Sequence, residues 1–166
     1  KYPDPRLREK SRPVEIFDDE LRVLAADMTE TMLAAPGAGL AAPQVGRLIR
    51  LIVVSWAEND ADYDDSARVL VNPRITWSGG EQVFDEGCLS VVDLHEKVIR
   101  AMEVEVEAQD LDGGFVGIKA EGRRAVVLQH EIDHLDGVLF IDHLSSLKRD
   151  IYRRRLKKLQ KEGEDE

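Results

Sequence analysis

The sequence is poor in several features that define other classes of protein. A single cysteine among 166 residues excludes an internal disulfide and favours a reducing compartment. Aromatic residues make up only 5% of the chain, and apolar runs such as Leu51–Val54 are far too short to span a membrane. With 43% apolar and 34% charged residues, the chain is nevertheless expected to form one folded domain with a substantial core.

Positive charge is scarce except near the C terminus. The net charge of the chain is −10, yet residues 148–161 contain eight Lys or Arg and one Asp, and four of the last five residues are acidic. Residues 1–147 therefore carry most of the negative charge. This distribution predicts an acidic body with a basic C-terminal helix, and the two parts could meet different partners.

The hydrophobic pattern predicts a mixed α+β fold. Asp18 can cap a first helix, and Gly122–Asp136 is a mostly apolar helix. Residues 102–108 alternate apolar and acidic side chains, which is typical of a strand with one buried face, and a turn at 112–114 leads into a hairpin with 115–120. Also expected are a first-helix stripe of Leu21, Leu24, Met28 and Met32, strands at Arg47–Val54, Val69–Val71 (stopped by Asn72-Pro73) and Val138–Ile141, an acidic loop at Glu58–Asp65, and a last helix with the stripe Leu144, Leu147, Ile151 and Leu159.

The stretch Gln129-His130-Glu131-Ile132-Asp133-His134 indicates a metal site. His130 and His134 are four residues apart, so on a helix they share one face and can bind one ion. Glu131 follows the first histidine and can move a proton of a water molecule at that ion. The alternative interpretation is a core helix with two hydrogen-bonded histidines.

A third metal ligand is expected upstream of this helix. One large class of zinc peptidases needs another histidine where Phe140 stands, and the later acidic residues are poor candidates. Cys88, within Glu86-Gly87-Cys88-Leu89-Ser90, is the natural choice, although a lone cysteine is more often a small buried apolar residue. Two imidazoles and a thiolate leave a fourth position open, as catalytic zinc sites do.

A Gly/Ala-rich segment, Gly37–Gln44, completes a set of three motifs. Together with Glu86–Ser90 and Gln129–His134, and in this order, it resembles the peptide deformylase family over nearly the whole chain. The resemblance implies an α+β fold in which antiparallel strands enclose the metal-binding helix, with a C-terminal amphipathic helix. It implies a bacterial cytoplasmic hydrolase that removes the formyl group from the N-terminal formyl-methionine of nascent polypeptides and releases formate.

The resemblance also implies roles for individual residues. The implied metal ligands are Cys88, His130 and His134. They would hold one divalent ion, Fe(II) in the cell, with Zn or Ni as substitutes. Glu131 would act as acid and base, while the Gln44 amide and the Leu89 N–H would stabilise the oxyanion.

Substrate contacts are expected along the same motifs. Gly39 would meet the substrate backbone, and Ala38, Leu40 and Val126 could form an apolar pocket for the methionine side chain. The sequence departs from the family pattern at three positions: Ala38 stands where a bulky aliphatic residue is frequent, Val92 where proline is common, and His95 where arginine is common.

Two other classes of function stay open at the level of sequence. One is a general zinc peptidase, which would release shorter peptides rather than formate. The other is a non-enzymatic ribosome-associated module, suggested by the basic helix but opposed by the intact Glu131 and ligand set. We expect residues 1–147 to be the catalytic domain and 148–166 to continue it as a basic helix and acidic tail. The expected partners are formyl-methionyl peptides and the ribosome, with no membrane association.

Overall fold

The computed structural model describes residues 1–57 and 66–164, with side chains as far as residue 158. Its helices are α1 (Asp19–Ala34), α2 (Gly122–Leu135) and α3 (Ser146–Glu164). Its strands are β1 (Gly39–Ala41), β2 (Leu51–Ser55), β3 (Ala67–Gly79), β4 (Gln82–Cys88), β5 (Val91–Arg100), β6 (Glu103–Gln109) and β7 (Phe115–Glu121). Short 3-10 helices lie at Pro5–Arg8, Ala42–Val45 and Phe140–His143. The predicted acidic loop, Glu58–Asp65, lies outside the described residues.

One antiparallel sheet, with the strand order β1-β2-β3-β6-β7, separates two layers of the core. Alternate residues of a strand point to opposite faces. On β2, Ile52 and Val54 pack in the cluster around α2, while Leu51 and Val53 pack with α1. Both faces of β2 are therefore buried, which explains its continuous apolar sequence.

Helix α1 covers one face of this sheet, as its sequence predicts. The Asp18 carboxylate accepts a hydrogen bond of 3.0 Å from the Leu21 N–H and caps the helix. Met28 and Met32 on the predicted stripe are fully buried. The stripe thus faces the sheet and holds β1 and β2 from that side.

Helix α2 lies between the main sheet and a second antiparallel ribbon formed by β4 and β5. Leu128 and Leu135 pack toward the main sheet. Strand β5, through Val91 and Val98, joins a third cluster with Phe140 and the last helix. The expected α+β architecture is confirmed, with α2 enclosed by antiparallel strands.

The predicted end of a strand at Asn72-Pro73 is wrong, because β3 continues to Gly79. Asn72 adopts a left-handed backbone (φ 50°), and the register with β6 shifts between Val71 and Arg74. The Asn72 amide accepts a hydrogen bond from the Val14 N–H (2.8 Å) and donates one to the Gln109 side chain (2.8 Å). A β-bulge stabilised by a side chain therefore absorbs the proline without ending the strand.

Two further predictions near the C terminus are wrong. Residues Val138–Ile141 do not form a strand, because a 3-10 helix begins at Phe140 and the Asp142 carboxylate accepts a hydrogen bond from the Leu139 N–H. The predicted apolar stripe of the last helix is the second, because Leu147 and Ile151 on α3 are 69% and 58% exposed.

The buried face of α3 is centred on Tyr152, whose hydroxyl donates to the Val92 carbonyl at 3.1 Å. Leu144 is buried, but it lies before the helix begins. The Leu159 side chain lies outside the described ones. Within the described part of the chain, no helix is long and apolar enough to cross a membrane.

Candidate metal centre

The two histidines of α2 point to one place on the side facing the β4–β5 ribbon. Their ring centroids are 5.0 Å apart, and both side chains are buried. His130 also stacks against Phe140 at 6.1 Å between centroids. The helical spacing predicted from sequence is thus realised as a converging pair of imidazoles.

Cys88 completes the group from the end of β4. The register between β4 and β5 shifts after Gly87, so the strand bends where the thiol leaves it. The Cys88 Sγ lies 3.4 Å from His134 Nε2. One ligand atom each from Cys88, His130 and His134 lies within 4.8 Å of the other two. The structure therefore brings together the three predicted ligands.

Glu86 fixes the orientation of the first histidine. His130 Nδ1 donates a hydrogen bond of 2.8 Å to Glu86 Oε1, so Nε2 is the ring nitrogen that faces the other two candidate ligands. Arg100 in turn donates two hydrogen bonds to the Glu86 carboxylate, at 2.8 and 3.0 Å. Glu86 and Arg100 are both buried. Sequence reasoning assigned them no role, although a carboxylate that orients a metal-binding histidine is a common arrangement.

Burial and hydrogen bonding shift the pKa values of this group in different directions. Burial raises the pKa of Glu86, but hydrogen bonds from His130 and Arg100 outweigh it and lower the pKa to about 2. Burial also lowers the pKa of His130, yet hydrogen bonds to Cys88 and Glu86 raise it to about 10. Burial and the nearby His130 lower the pKa of His134 to about 3. The centre therefore stabilises one positive charge beside the thiol and Glu86.

Glu131 lies beside the three candidate ligands, and its carboxyl differs from that of Glu86 in its hydrogen bonding and its pKa. Its side chain is buried, and its Oε2 has no hydrogen-bond partner among the described residues. Burial raises the pKa of this carboxyl to about 7. A carboxyl with this pKa can accept and return a proton near neutral pH.

The donor set fits one divalent metal ion. Imidazole nitrogen and thiolate sulfur are ligands that suit Zn and other late first-row metals, and three protein ligands leave a position for a reactant. A metal triad next to a buried carboxyl and an open cavity defines the class of metal-dependent hydrolases.

The cavity next to the triad has a volume of about 550 Å³. Among the residues predicted to touch substrate or the oxyanion, those that line it are Ala38, Gly39, Gln44, Leu89, His95 and Val126. The placement of Leu40 in this pocket is wrong. Side chains alternate along β1, so Ala41 faces the α2 cluster and Leu40 packs in the α1 cluster on the other side of the sheet. Phe84 and Val127 line the cavity and were not predicted.

Gln44 is held in place by its own segment. Its Oε1 accepts a hydrogen bond of 2.9 Å from the Ala41 N–H, which directs the amide nitrogen toward the triad. That nitrogen donates to Ser90 Oγ at 3.0 Å and lies 3.6 Å from Cys88 Sγ. A preset amide donor thus stands next to the thiol.

Two glycines of the motifs lie in close contact with side chains of the cavity. A Cβ at Gly39 would lie 2.5 Å from Glu131 Oε1, and a Cβ at Gly87 would lie 2.5 Å from the His95 ring. Both distances are shorter than real contacts allow. Glycine at these positions therefore lets the carboxyl and the imidazole border the cavity.

Comparisons with known proteins agree with this centre. A model of the family described as polypeptide deformylase matches residues 1–150. The peptide deformylase of Acidobacterium capsulatum is 50% identical over 166 residues, covering 99% of this chain and 95% of the relative. That of Desulfotalea psychrophila is 49% identical over 157 residues, covering 95% and 92%. The crystal structure of a peptide deformylase from Legionella pneumophila superposes with a TM-score of 0.88 at 45% identity, covering 99% and 95%.

The chain therefore belongs to the polypeptide deformylase family. It is a metal-dependent amide hydrolase of the kind that deformylates nascent peptides. The resemblance stated from the three motifs is confirmed.

Proposed function

We propose that Cys88, His130 and His134 hold one divalent ion in this deformylase, at which the formyl group of formyl-methionyl peptides is removed. The convergence of the three ligand atoms within 4.8 Å beside the 550 Å³ cavity is the observation that carries this proposal. When bound, the ion polarises the formyl carbonyl and makes water more acidic. The products are formate and a peptide with a free amino group.

Glu131 moves the proton. Its raised pKa of about 7 allows it to take a proton from the attacking water and to return that proton to the departing amine nitrogen. Its Oε2 has no competing partner among the described residues, so the carboxyl is available for this transfer. Burial excludes bulk water from the exchange.

Gln44 and the Leu89 N–H stabilise the negative charge that develops on the formyl oxygen. The side-chain oxygen of Gln44 already accepts a hydrogen bond from the Ala41 N–H. The amide nitrogen of the same side chain therefore needs no reorientation during the reaction. Leu89 follows Cys88 directly and lines the same cavity. Donors that are fixed before the reaction stabilise a transition state more effectively than mobile ones.

The methionine side chain occupies the apolar part of the cavity. Val126 is one helical turn before His130 and is buried, and Ala38 lines the same cavity together with Gly39. The small Ala38 leaves more room than the bulky residue frequent in the family. His95, packed over Gly87, borders the path of the following residues.

The ion in the cell is proposed to be Fe(II), with Zn or Ni as substitutes. Affinity alone favours Zn over Fe(II) for this donor set, so metal supply in the cell decides occupancy. Metal analysis of protein purified without oxygen tests this assignment.

Ribosome docking through α3 is proposed as the way this enzyme meets its substrate in the bacterial cytoplasm. In this arrangement residues 1–147 are the catalytic domain, and 148–166 continue it. Tyr152 anchors α3 to the body, while basic residues such as Arg153, Arg154 and Lys157 are exposed. The acidic body would be repelled by RNA, so this helix is the surface suited to meet it.

The proposed activity is tested by incubating the metal-loaded protein with formyl-Met-Ala-Ser. We expect one formate and one free amine per peptide, loss of both with a chelator, and recovery when Fe(II) or Zn is restored. Shorter peptides without formate would instead identify a general peptidase.

A further inference from the structure

Arg123 is an exposed cation at the rim of the metal cavity. Within the described residues it makes no ion pair, whereas Glu86 inside the same cavity is paired with the buried Arg100. Asp85, on β4, is an exposed acidic residue of the opposite wall. Arg123 is therefore a cation without an ion-pair partner among the described residues, at the rim where an incoming peptide meets it.

The position of Arg123 along α2 sets which part of a peptide it meets. Residues 123, 126, 127 and 130 lie on one side of the helix and line one cavity. At 1.5 Å per residue, Arg123 stands about 10 Å from His130 along the helix axis. An extended peptide advances roughly 3.3–3.6 Å per residue, so about three residues cover this distance. A peptide that has its formyl group at the triad and extends along α2 toward Arg123 would place the residues after formyl-methionine beside this cation.

No hydrogen bond or ion pair among the described residues accounts for a cation at this position, although Glu121 precedes the helix and borders a neighbouring cavity with Arg123. The first turn of α2 contains no acidic residue, and Arg123 lies where the helix dipole disfavours positive charge. The neighbouring Arg124 has a structural role, because it donates to the Trp56 carbonyl at 2.7 Å and packs over the Trp56 ring. Arg123 makes no comparable contact among the described residues.

We propose that Arg123 is a specificity-determining residue that favours formyl-methionyl peptides with an acidic side chain at the second or third position. Asp85 on the facing wall opposes this preference, so Arg123 and Asp85 together determine how strongly acidic side chains are favoured over basic ones. The inference rests on the proposed metal centre, because it takes the triad as the origin from which peptide positions are counted.

The test compares four peptides, formyl-Met-Glu-Ala-Ala, formyl-Met-Ala-Glu-Ala and their Lys counterparts, by the rate of formate release. We expect kcat/KM to be about threefold or more higher for one or both Glu peptides than for their Lys counterparts, through KM rather than kcat, which is the scale of exposed ion pairs. Arg123→Gln should bring this ratio to one or below it, because the Asp85 carboxylate remains, and Arg123→Glu should invert it. Asp85→Asn should increase the ratio. Raising the salt concentration should reduce it in the parent protein.

Lys119→Gln is the matched control, because Lys119 is an exposed cation that pairs with Glu105 and does not line the metal cavity among the described residues. It should keep the parent ratio. An unchanged ratio in Arg123→Gln, or an equal fall in Lys119→Gln, would overturn the proposal. Failure of all four peptides to release formate would instead contradict the proposed function, so the two failures are distinguishable.

Discussion

Glu131 has surroundings that differ strongly from those of an exposed carboxylate. It is buried, its pKa is raised to about 7, and Gly39 makes room for it. We expect Glu131→Gln to retain the metal while turnover falls by at least about 100-fold, because the proton acceptor is lost. Metal content and formate release measured on the same sample check this. Near-normal turnover of a metal-loaded variant would contradict the proton-transfer role.

Gln44 offers a second prediction for a single residue. Gln44→Leu keeps the approximate volume and deletes the amide donor, so kcat should fall by about 100- to 1000-fold. Steady-state kinetics with formyl-Met-Ala-Ser separates the two possible roles. A rise in KM with unchanged kcat would make Gln44 a binding residue. Ser90→Ala, which removes only the 3.0 Å partner of the amide, is the matched control and should have a much smaller effect.

The residues that carry the chemistry were predicted from the sequence more completely than the residues that position them. The spacing of His130 and His134 alone implies a shared helix face, and the missing third ligand points to Cys88. Leu40 was misplaced because the side to which β1 turns it depends on pairing with β2, which local sequence does not reveal. Arg100 was missed because its partner Glu86 is fourteen residues away on the adjacent strand.

At the scale of the elements, an ion pair joins the N-terminal segment to the 3-10 helix that follows α2. Its contribution to folding stability should depend on pH. Arg8 contacts the Asp142 carboxylate at 2.5 and 3.1 Å. Burial raises the pKa of Asp142, but the hydrogen bond from Arg8 outweighs it and the net pKa is lowered. A lowered folded-state pKa stabilises the protein above the unfolded value of about 4 and ceases to do so as the pH falls below it.

Asp142→Asn should accordingly lower the free energy of unfolding by up to about 1 kcal/mol at pH 7. The difference from the parent should be smaller at pH 3, because the carboxylate loses its charge as the pH falls toward and through its lowered folded-state pKa. Urea unfolding at both pH values measures it. A difference of equal size at both would show that the carboxylate charge is not responsible.

Elements that depend on local sequence were predicted, and those that depend on distant partners were not. The cap at Asp18 and the period-two pattern of β6 are local signals, and both hold. The continuation of β3 past Pro73 depends on Asn72 bonding to Val14 and Gln109, which are far away in the chain. The buried face of α3 follows Tyr152, which packs against the β4–β5 ribbon that the sequence pattern did not reveal.

At the scale of the whole molecule, an acidic body and a basic helix suggest that only one surface meets RNA. Neutralising the exposed Arg153, Arg154 and Lys157 to Gln should weaken ribosome co-sedimentation at low salt and leave hydrolysis of formyl-Met-Ala-Ser unchanged. Phosphate contacts release counterions, so binding by the parent should also fall steeply with salt. The matched control neutralises three other exposed cations, Arg74, Lys97 and Lys119. Equal co-sedimentation of both triple variants would contradict ribosome docking and would show that the role of α3 is structural.

The most direct test of the metal centre is the metal content of Cys88→Ala measured together with its formate release. The parent should contain one divalent ion per chain and release formate from formyl-Met-Ala-Ser. The variant keeps both histidines but loses the thiolate that lies 3.4 Å from His134, so it should lose the ion or bind it much more weakly, with a parallel loss of activity. Full occupancy with unchanged formate release in the variant would contradict the account.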